Sequence, residues 1–250
     1  MVKGILNKKV LSLIIPVTLI IIWFLITMVF KVFPDYIIPT PLDVLNAGYN
    51  LIITGQLLDD TINTLFKVLL GIILATIVAV PLGLILGWSE RLEAMSELIV
   101  SILRPIPPVA WIPFSLLWFG IGIAPAVFII FMGCIFPILV YTIDGVKRTD
   151  KVLIEAGQTL GANDFQILSK VIFPSSFPTI VTGLKVAFGI DLMCTVSAEM
   201  VGSTSGLGQM IMTASTLSNT GDIVIGMLAI GIIGLVFDRL FIHAQRKIFW

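Results

Sequence analysis

Histidine is almost missing from this chain: His243 is the one residue of its kind in 250. A lone imidazole excludes a histidine-based metal cluster or proton relay, and its neighbours Arg239, Arg246 and Lys247 place it among groups that face water or headgroups. Cysteine is nearly as scarce. Cys134 and Cys194 sit in apolar stretches without a CxxC or Cys/His partner, which favours buried reduced thiols over a disulfide or a metal site. Charge is thin as well, at 12% of residues, about half the fraction of a soluble domain. Fifteen basic residues balance fifteen acidic ones, so there is no electrostatic footprint for nucleic acid. No GxxxxGK[ST] phosphate loop occurs, nor even a Gly-Lys dipeptide, so ATP chemistry has no seat in this chain. The clustered nucleophiles, metal ligands or paired acids of an intramembrane enzyme are lacking too.

What fills the space is apolar. Hydrophobic residues make up 58% of the chain and the mean hydropathy is +1.10. Runs long enough to cross a bilayer recur, which makes this an integral, all-α membrane protein. Six spans are expected: 11–30, 63–88, a third around 101–122, 124–143, 179–198 and 223–241. The first follows Lys3, Lys8 and Lys9 and is too long for a signal-peptide core, so it reads as a retained helix. Pro34, Pro39 and Pro41 prevent a continuous helix after it, and a short amphipathic surface helix is expected from Asp43 onward. Residues 89–97 read as a polar turn. The organisation is an N-terminal membrane helix with an extracytoplasmic segment (1–56), a membrane domain (57–241) carrying a cytoplasmic loop (144–178), and a cytoplasmic tail (242–250).

Basic residues set the orientation. With the N-terminus inside, the cytoplasmic segments hold Lys3, Lys8, Lys9, Arg91, Lys147, Arg148, Lys151, Lys170, Arg246 and Lys247. The outer segments hold Lys31 alone, beside Asp35, Asp43, Asp59, Asp60 and Asp222. Both termini and the 144–178 loop therefore face the cytoplasm.

The third span is irregular: Arg104, Pro105, Pro107, Pro108 and Pro113 lie in or against the bilayer. Each proline removes a helix hydrogen bond, and irregular backbone at that depth survives only against protein or a water-filled cavity. Two readings stand open, a connector at the interface and a broken helix beside a translocation path with Arg104, Pro107, Pro108 and Trp111 on it. Trp23, Trp111 and Trp118 read as interface anchors or packing groups.

The loop at 144–178 is polar yet patterned. Thr149 or Asp150 caps a first helix with Val152, Leu153, Ala156 and Leu160 at helical spacing. Gly161 stands where a helix C-terminus needs positive φ. Asn163 and Gln166 form a capping box for a second helix, with Phe165, Leu168, Val171 and Ile172 on one side and Pro174 at its end. The apolar sides are expected to pack on the bundle. That leaves a knob headed by Glu155, Ala156 and Gly157, where small residues beside one acid suit docking in a groove.

Those residues resemble the EAA loop of binding-protein-dependent ABC importer permeases, E-A-A-x₃-G-x₉-I-x-L-P. Here it reads Glu155, Ala156, Gly157, then Gly161, then Val171, Ile172, Phe173, Pro174, with the spacing kept and glycine, valine and phenylalanine as departures. IPTPLDVL (38–45), VPLGLILGWSERLE (80–93), LRPIPPVAWIP (103–113), LWFGIG (117–122), SAEMVGSTSGLG (197–208) and the terminal tryptophan extend the likeness. Together they resemble the nitrate, sulfonate, taurine and bicarbonate branch of that family.

The resemblance implies a type I ABC importer permease fold, working with a second copy of the permease in the bilayer. It implies two cytosolic ABC ATPases, which use ATP and Mg, and an extracytoplasmic solute-binding protein; no cofactor is implied for this chain. Glu155, Ala156, Gly157, Gly161 and Pro174 would form the coupling element, and Glu199 matches the acid of the family's AAE stretch near the outer mouth. The solute stays open among sulfonates, taurine, nitrate, bicarbonate and thiamine-precursor pyrimidines. The alternative is an ATP-independent secondary transporter or channel, which would show an inverted repeat or broken helices in both halves; the prolines crowd one span only.

Three further expectations concern charges and glycines. Lys67 reads as a snorkelling residue near one end of the second span. Asp191 and Glu199 are acids in or next to the fifth, where a charge generally faces an interior or a cavity, and Asp191 could meet Lys185 or Arg104. Gly202 to Gly208 has the composition of an anion nest, but without an adjacent base it reads as a gate element.

Overall fold

The computed structural model describes residues 8–34 and 36–248, so expectations resting on Lys3, Asp35 and Trp250 lie outside the described residues. Every regular element among those residues is helical. In order they are α1 (Lys8–Phe24), α2 (Pro41–Ile53), α3 (Gln56–Trp88), α4 (Glu90–Leu103), α5 (Ile112–Phe119), α6 (Ile123–Lys147), α7 (Lys151–Thr159), α8 (Asp164–Ile167), α9 (Phe173–Gly202), α10 (Leu207–Thr216) and α11 (Thr220–Ile248). Among the described residues, four helices are long and apolar enough to cross a membrane: Gln56–Trp88, Ile123–Lys147, Asp164–Gly202 and Thr220–His243. A fifth span results if α4 and the segment from Pro108 to Phe119 count as one bent unit, and the apolar helix Ile14–Val29 is shorter than a span.

The chain forms two compact units. One comprises residues up to Leu58 together with Met210–Leu228; the other comprises Asp59–Gln209 and the chain from Ala229 onward. In the first, α2 starts where the sequence dictates. Thr40 Oγ1 accepts from Asp43 N at 3.2 Å while Asp43 Oδ2 accepts from Thr40 N at 3.1 Å, a reciprocal capping box with Pro41 at the first helical position. Val44, Gly48 and Leu51 are buried; Leu45, Tyr49 and Ile52 are exposed.

The second unit is built on a seam of small residues. Gly71, Ala75, Ala79, Gly83 and Gly87 fall at every fourth position of α3, one stripe of the helix. A Cβ on Gly71 would sit 2.1 Å from Ile130 Cγ2, so α3 and α6 approach closer than any side chain there would permit. Ala75, Ala79, Ile130, Cys134, Ile138, Leu139 and Ala187 form the core where α3, α6 and α9 meet. Residues 89–97 are helix rather than a polar turn. Ser89 accepts from Leu92 N as a cap, and Glu90 and Glu93 occupy the first turn of α4, where carboxylates oppose the helix dipole. The residues are polar because the first turn of a helix favours them.

Candidate coupling and translocation sites

The knob at 144–178 is a product of local rules. Asp150 caps α7, its Oδ1 accepting from Val152 N at 3.0 Å, while Thr149 turns inward and donates to Gly145 O at 3.3 Å. At the other end Gly161 has φ +79°. Gly161 N donates to Gln158 O at 2.9 Å and Ala162 N to Gly157 O at 3.0 Å, the two bonds of a Schellman stop. Asn163 then opens α8 with a complete capping box: Oδ1 accepts from Gln166 N at 2.8 Å and Gln166 Oε1 from Asn163 N at 3.0 Å.

Two expectations for this region are corrected. Of the apolar residues expected to pack on the bundle, Val152, Leu153, Leu160 and Phe165 do not. Leu160 is 88% exposed and Phe165, on α8, 76%, with Val152 and Leu153 also exposed. The inward contact is made by Ile154 and Ala162 against buried Val146, Ile167 and Ile172. Gly157 lies on the same inward side: a Cβ there would meet Ile167 Cγ1 at 3.6 Å and Val171 Cγ2 at 3.8 Å, ordinary contact distances. Pro174 does not end a helix either. It sits in the first turn of α9, within a helical run from Asp164 to Gly202. The π-turn Leu168–Ile172 just before it, closed by Phe173 N to Leu168 O, supplies the local adjustment by which a proline's missing donor is absorbed.

The region expected to be the third span is sharply bent. After Leu103 the chain passes Arg104 to Pro107 without regular structure and makes a 3₁₀ turn at Pro108–Trp111 before α5, with the two arms bent by 82°. Arg104, Pro107 and Pro108 line a cavity of 320 Å³ together with Gly133, Tyr141 and Ile190. Trp111 is placed elsewhere, in an aromatic cluster with Phe114 and Phe128 at ring-centroid distances of 6.1 and 6.4 Å.

Glu199 is not among the residues lining that cavity and anchors a buried polar cluster in the second unit. Lys67, far from snorkelling, is fully buried and ion-paired to it at 2.8 Å. The ammonium's other partners are Ser203 Oγ at 2.7 Å and the Ser205 carbonyl, so three donors meet three acceptors. Glu199 also accepts from Thr64 Oγ1 at 3.0 Å and from Gly208 N at 2.9 Å. The 202–208 segment is therefore wrapped around a carboxylate of the same chain, with the base it was read as lacking supplied by α3. Gly206, at φ +114°, has to be glycine, since a Cβ would lie 2.2 Å from Glu199 Oε1. Its N–H is fixed to Asp60 Oδ1 at 2.8 Å, and Leu207 N to Thr64 Oγ1 at 2.9 Å.

Asp191 meets neither predicted cation. Lys185 pairs with Asp238 at 2.8 Å. Asp191 is fully buried; Thr195 Oγ1 lies 3.2 Å from its Oδ1, and its Oδ2 has no hydrogen-bond partner.

Residues 68–248 match the family of the binding-protein-dependent transport system inner membrane component. This chain belongs to that family. A provisionally named ABC transporter permease protein of Methanocaldococcus jannaschii is 42% identical over 97% of this chain and 92% of its own length. The taurine transport system permease protein of Escherichia coli is 29% identical over 92% of this chain and 85% of its own. Among solved structures, an inward-facing conformation of the MetNI methionine ABC transporter superposes with a TM-score of 0.71 at 21% identity, covering 78% of this chain and 97% of that one. The molecule is a multi-pass membrane protein with the type I ABC importer permease fold, a transport subunit rather than an ATPase.

Proposed function

We propose that this permease carries a small sulfonate-, taurine-, nitrate- or bicarbonate-like solute, or a thiamine-precursor pyrimidine, into the cytoplasm. It does so as one of two copies driven by two cytosolic ATPases that use ATP and Mg and are fed by a solute-binding protein. The observation that carries the coupling is the uncovered apolar face around Glu155. Val152, Leu153, Leu160 and Phe165 stand exposed on a knob whose fold is fixed by two caps and a Schellman stop. A face of that kind, on a segment bounded by Lys147, Arg148, Lys151 and Lys170, suits a groove on a cytosolic partner. Glu155, Ala156 and Gly157 head the surface, Gly161 sets the angle between its helices, and Pro174 begins the long helix behind it.

For the path, the support is the bent element beside the cavity at Arg104, Pro107 and Pro108. Arg104 is a cation suited to an anionic solute, in keeping with the sulfonate, taurine and bicarbonate permeases among the relatives. Trp111 and Glu199 support that path from packing positions.

Co-expression with the ATPase and reconstitution with the binding protein test the reading. Taurine, an alkanesulfonate, nitrate, bicarbonate or a pyrimidine should stimulate ATP hydrolysis and be taken up. Hydrolysis indifferent to all of them, or uptake by the permease without the ATPase, refutes it. A cysteine at Lys151 should react with an impermeant reagent in inside-out vesicles and not in intact cells. Cysteines from Pro107 to Pro113 should change reactivity with ATP state.

A further inference from the structure

In the first unit, α2 lies against the first turn of α11. Gly221 makes this possible: a Cβ there would stand 3.0 Å from Ala47 Cβ and 3.2 Å from the Asp43 carbonyl oxygen. Beside the contact opens a cavity of 620 Å³. Its lining includes Asn46 and Asn50, one helical turn apart on α2, with Tyr36, Asp43, Asn219 and Asp222. Both carboxylates are held in place. Asn219 Nδ2 donates to Asp222 Oδ2 at 2.7 Å, and Asp43 Oδ2 accepts from Thr40 Oγ1 at 2.6 Å. No lysine, arginine or histidine is among the described residues that line it.

Two fixed carboxylates in a concave surface without a counter-cation focus a negative potential outward. The four amide- and hydroxyl-bearing neighbours add hydrogen-bonding groups at the same mouth. The chemistry asks for a cation with donors, which is what a lysine or arginine side chain offers. We propose that this cavity is the docking socket for a lysine- or arginine-bearing surface of the solute-binding protein on which the family depends; the proposal rests on the importer reading above.

The same electrostatics argues against the other occupants. A sulfonate- or bicarbonate-like solute is repelled by two carboxylates with no base beside them. Anionic lipid headgroups are repelled likewise. A second copy of this chain offers one basic residue at most, because Lys31 is the single base assigned to the outer segments.

The test uses the permease–ATPase complex in lipid nanodiscs, titrated with the purified binding protein encoded with it, and reads ATP hydrolysis. Asn50→Lys should raise the half-stimulating concentration about tenfold and Asp222→Asn a few-fold, with basal and maximal rates unchanged. Asn50→Gln should keep wild-type values, which controls for folding. Raising ionic strength should weaken the wild-type response more than that of Asn50→Lys. Unchanged half-stimulating concentrations, or a fall in maximal rate alone, would overturn the socket while leaving the importer reading intact. Taurine binding to the complex without the binding protein, lost in Asp222→Asn, would assign the cavity to the solute instead. A binding protein that fails to stimulate even the wild type overturns the importer reading and the socket with it.

Discussion

The helical run from Asp164 to Gly202 has two ends of opposite character. Its far end closes on the Lys67–Glu199 pair, where an ammonium and a carboxylate lie at 0% exposure and every donor of the ammonium has an acceptor. Its near end carries the knob, where Leu160 and Phe165 stand almost wholly in the open. One end hides charge and satisfies it; the other displays apolar surface and leaves it uncovered. Both arrangements are costly in isolation. The first is offset inside the chain by hydrogen bonds, and the second is the condition of a surface that is completed by something else. An end that is finished should respond to mutation through stability, and an end that is unfinished through association.

Lys67→Ala is the most severe way to break the contrast. It leaves Glu199 buried without its cation, and the expected loss is about 3–5 kcal/mol, read as a fall in the thermal midpoint in detergent. Adding Glu199→Leu should recover part of it, leaving about 1–3 kcal/mol for the orphaned Gly208 N–H. Recovery no better than the single variant would mean the pair is not what holds this end.

Gly206→Ala pushes a methyl into the Glu199 carboxylate, and about 1–3 kcal/mol is expected from overpacking. ATPase binding should be unchanged once the protein is inserted, and co-purification checks that. On the knob, Gly161→Val places a β-branched residue at φ +79°, a strain of roughly 1–2 kcal/mol. Here the stability loss is secondary: co-purification with the ATPase and uptake should both fail. Glu155→Lys should fail the same way with no change in midpoint.

Leu160→Ser is the gentlest test. An exposed position away from packing shifts stability by about ±0.5 kcal/mol at most, yet ATPase association should weaken. Gly157→Ala, whose added Cβ meets Ile167 and Val171 only at ordinary contact distance, should keep both properties. Leu160→Ser behaving as wild type in co-purification would erase the distinction between the two ends.

The legible parts of this molecule were those decided within a few residues. Asp150, Gly161 and the Asn163–Gln166 box could be read because a cap or a stop involves positions two to five apart. The irregularity of the third span could be read because its prolines delete bonds wherever they lie, but the choice between connector and broken helix could not. The Lys67–Glu199 pair could not, since 132 residues separate partners that only packing unites. A signal did exist: Lys67 is the single base in an otherwise apolar stretch of α3, and a buried base demands a buried acid. Which face of α7 turns inward could not be read either, since Ile154 packs against Val146, Ile167 and Ile172, which only the tertiary fold brings together. Pro174 was misread because the π-turn before it is set by the continuity of the long helix and not by the residues of the turn.

That long helix has a mechanical meaning. From Phe173 to Gly202 it runs 30 residues without interruption, about 45 Å at the usual rise. It begins directly after the π-turn, the single stretch of the run with a different winding. A rod hinged at one end magnifies rotation into travel: a tilt of about 5° at the turn sweeps the opposite tip through roughly 4 Å over that length. Glu199 lies near that tip, where any such tilt would give the longest travel.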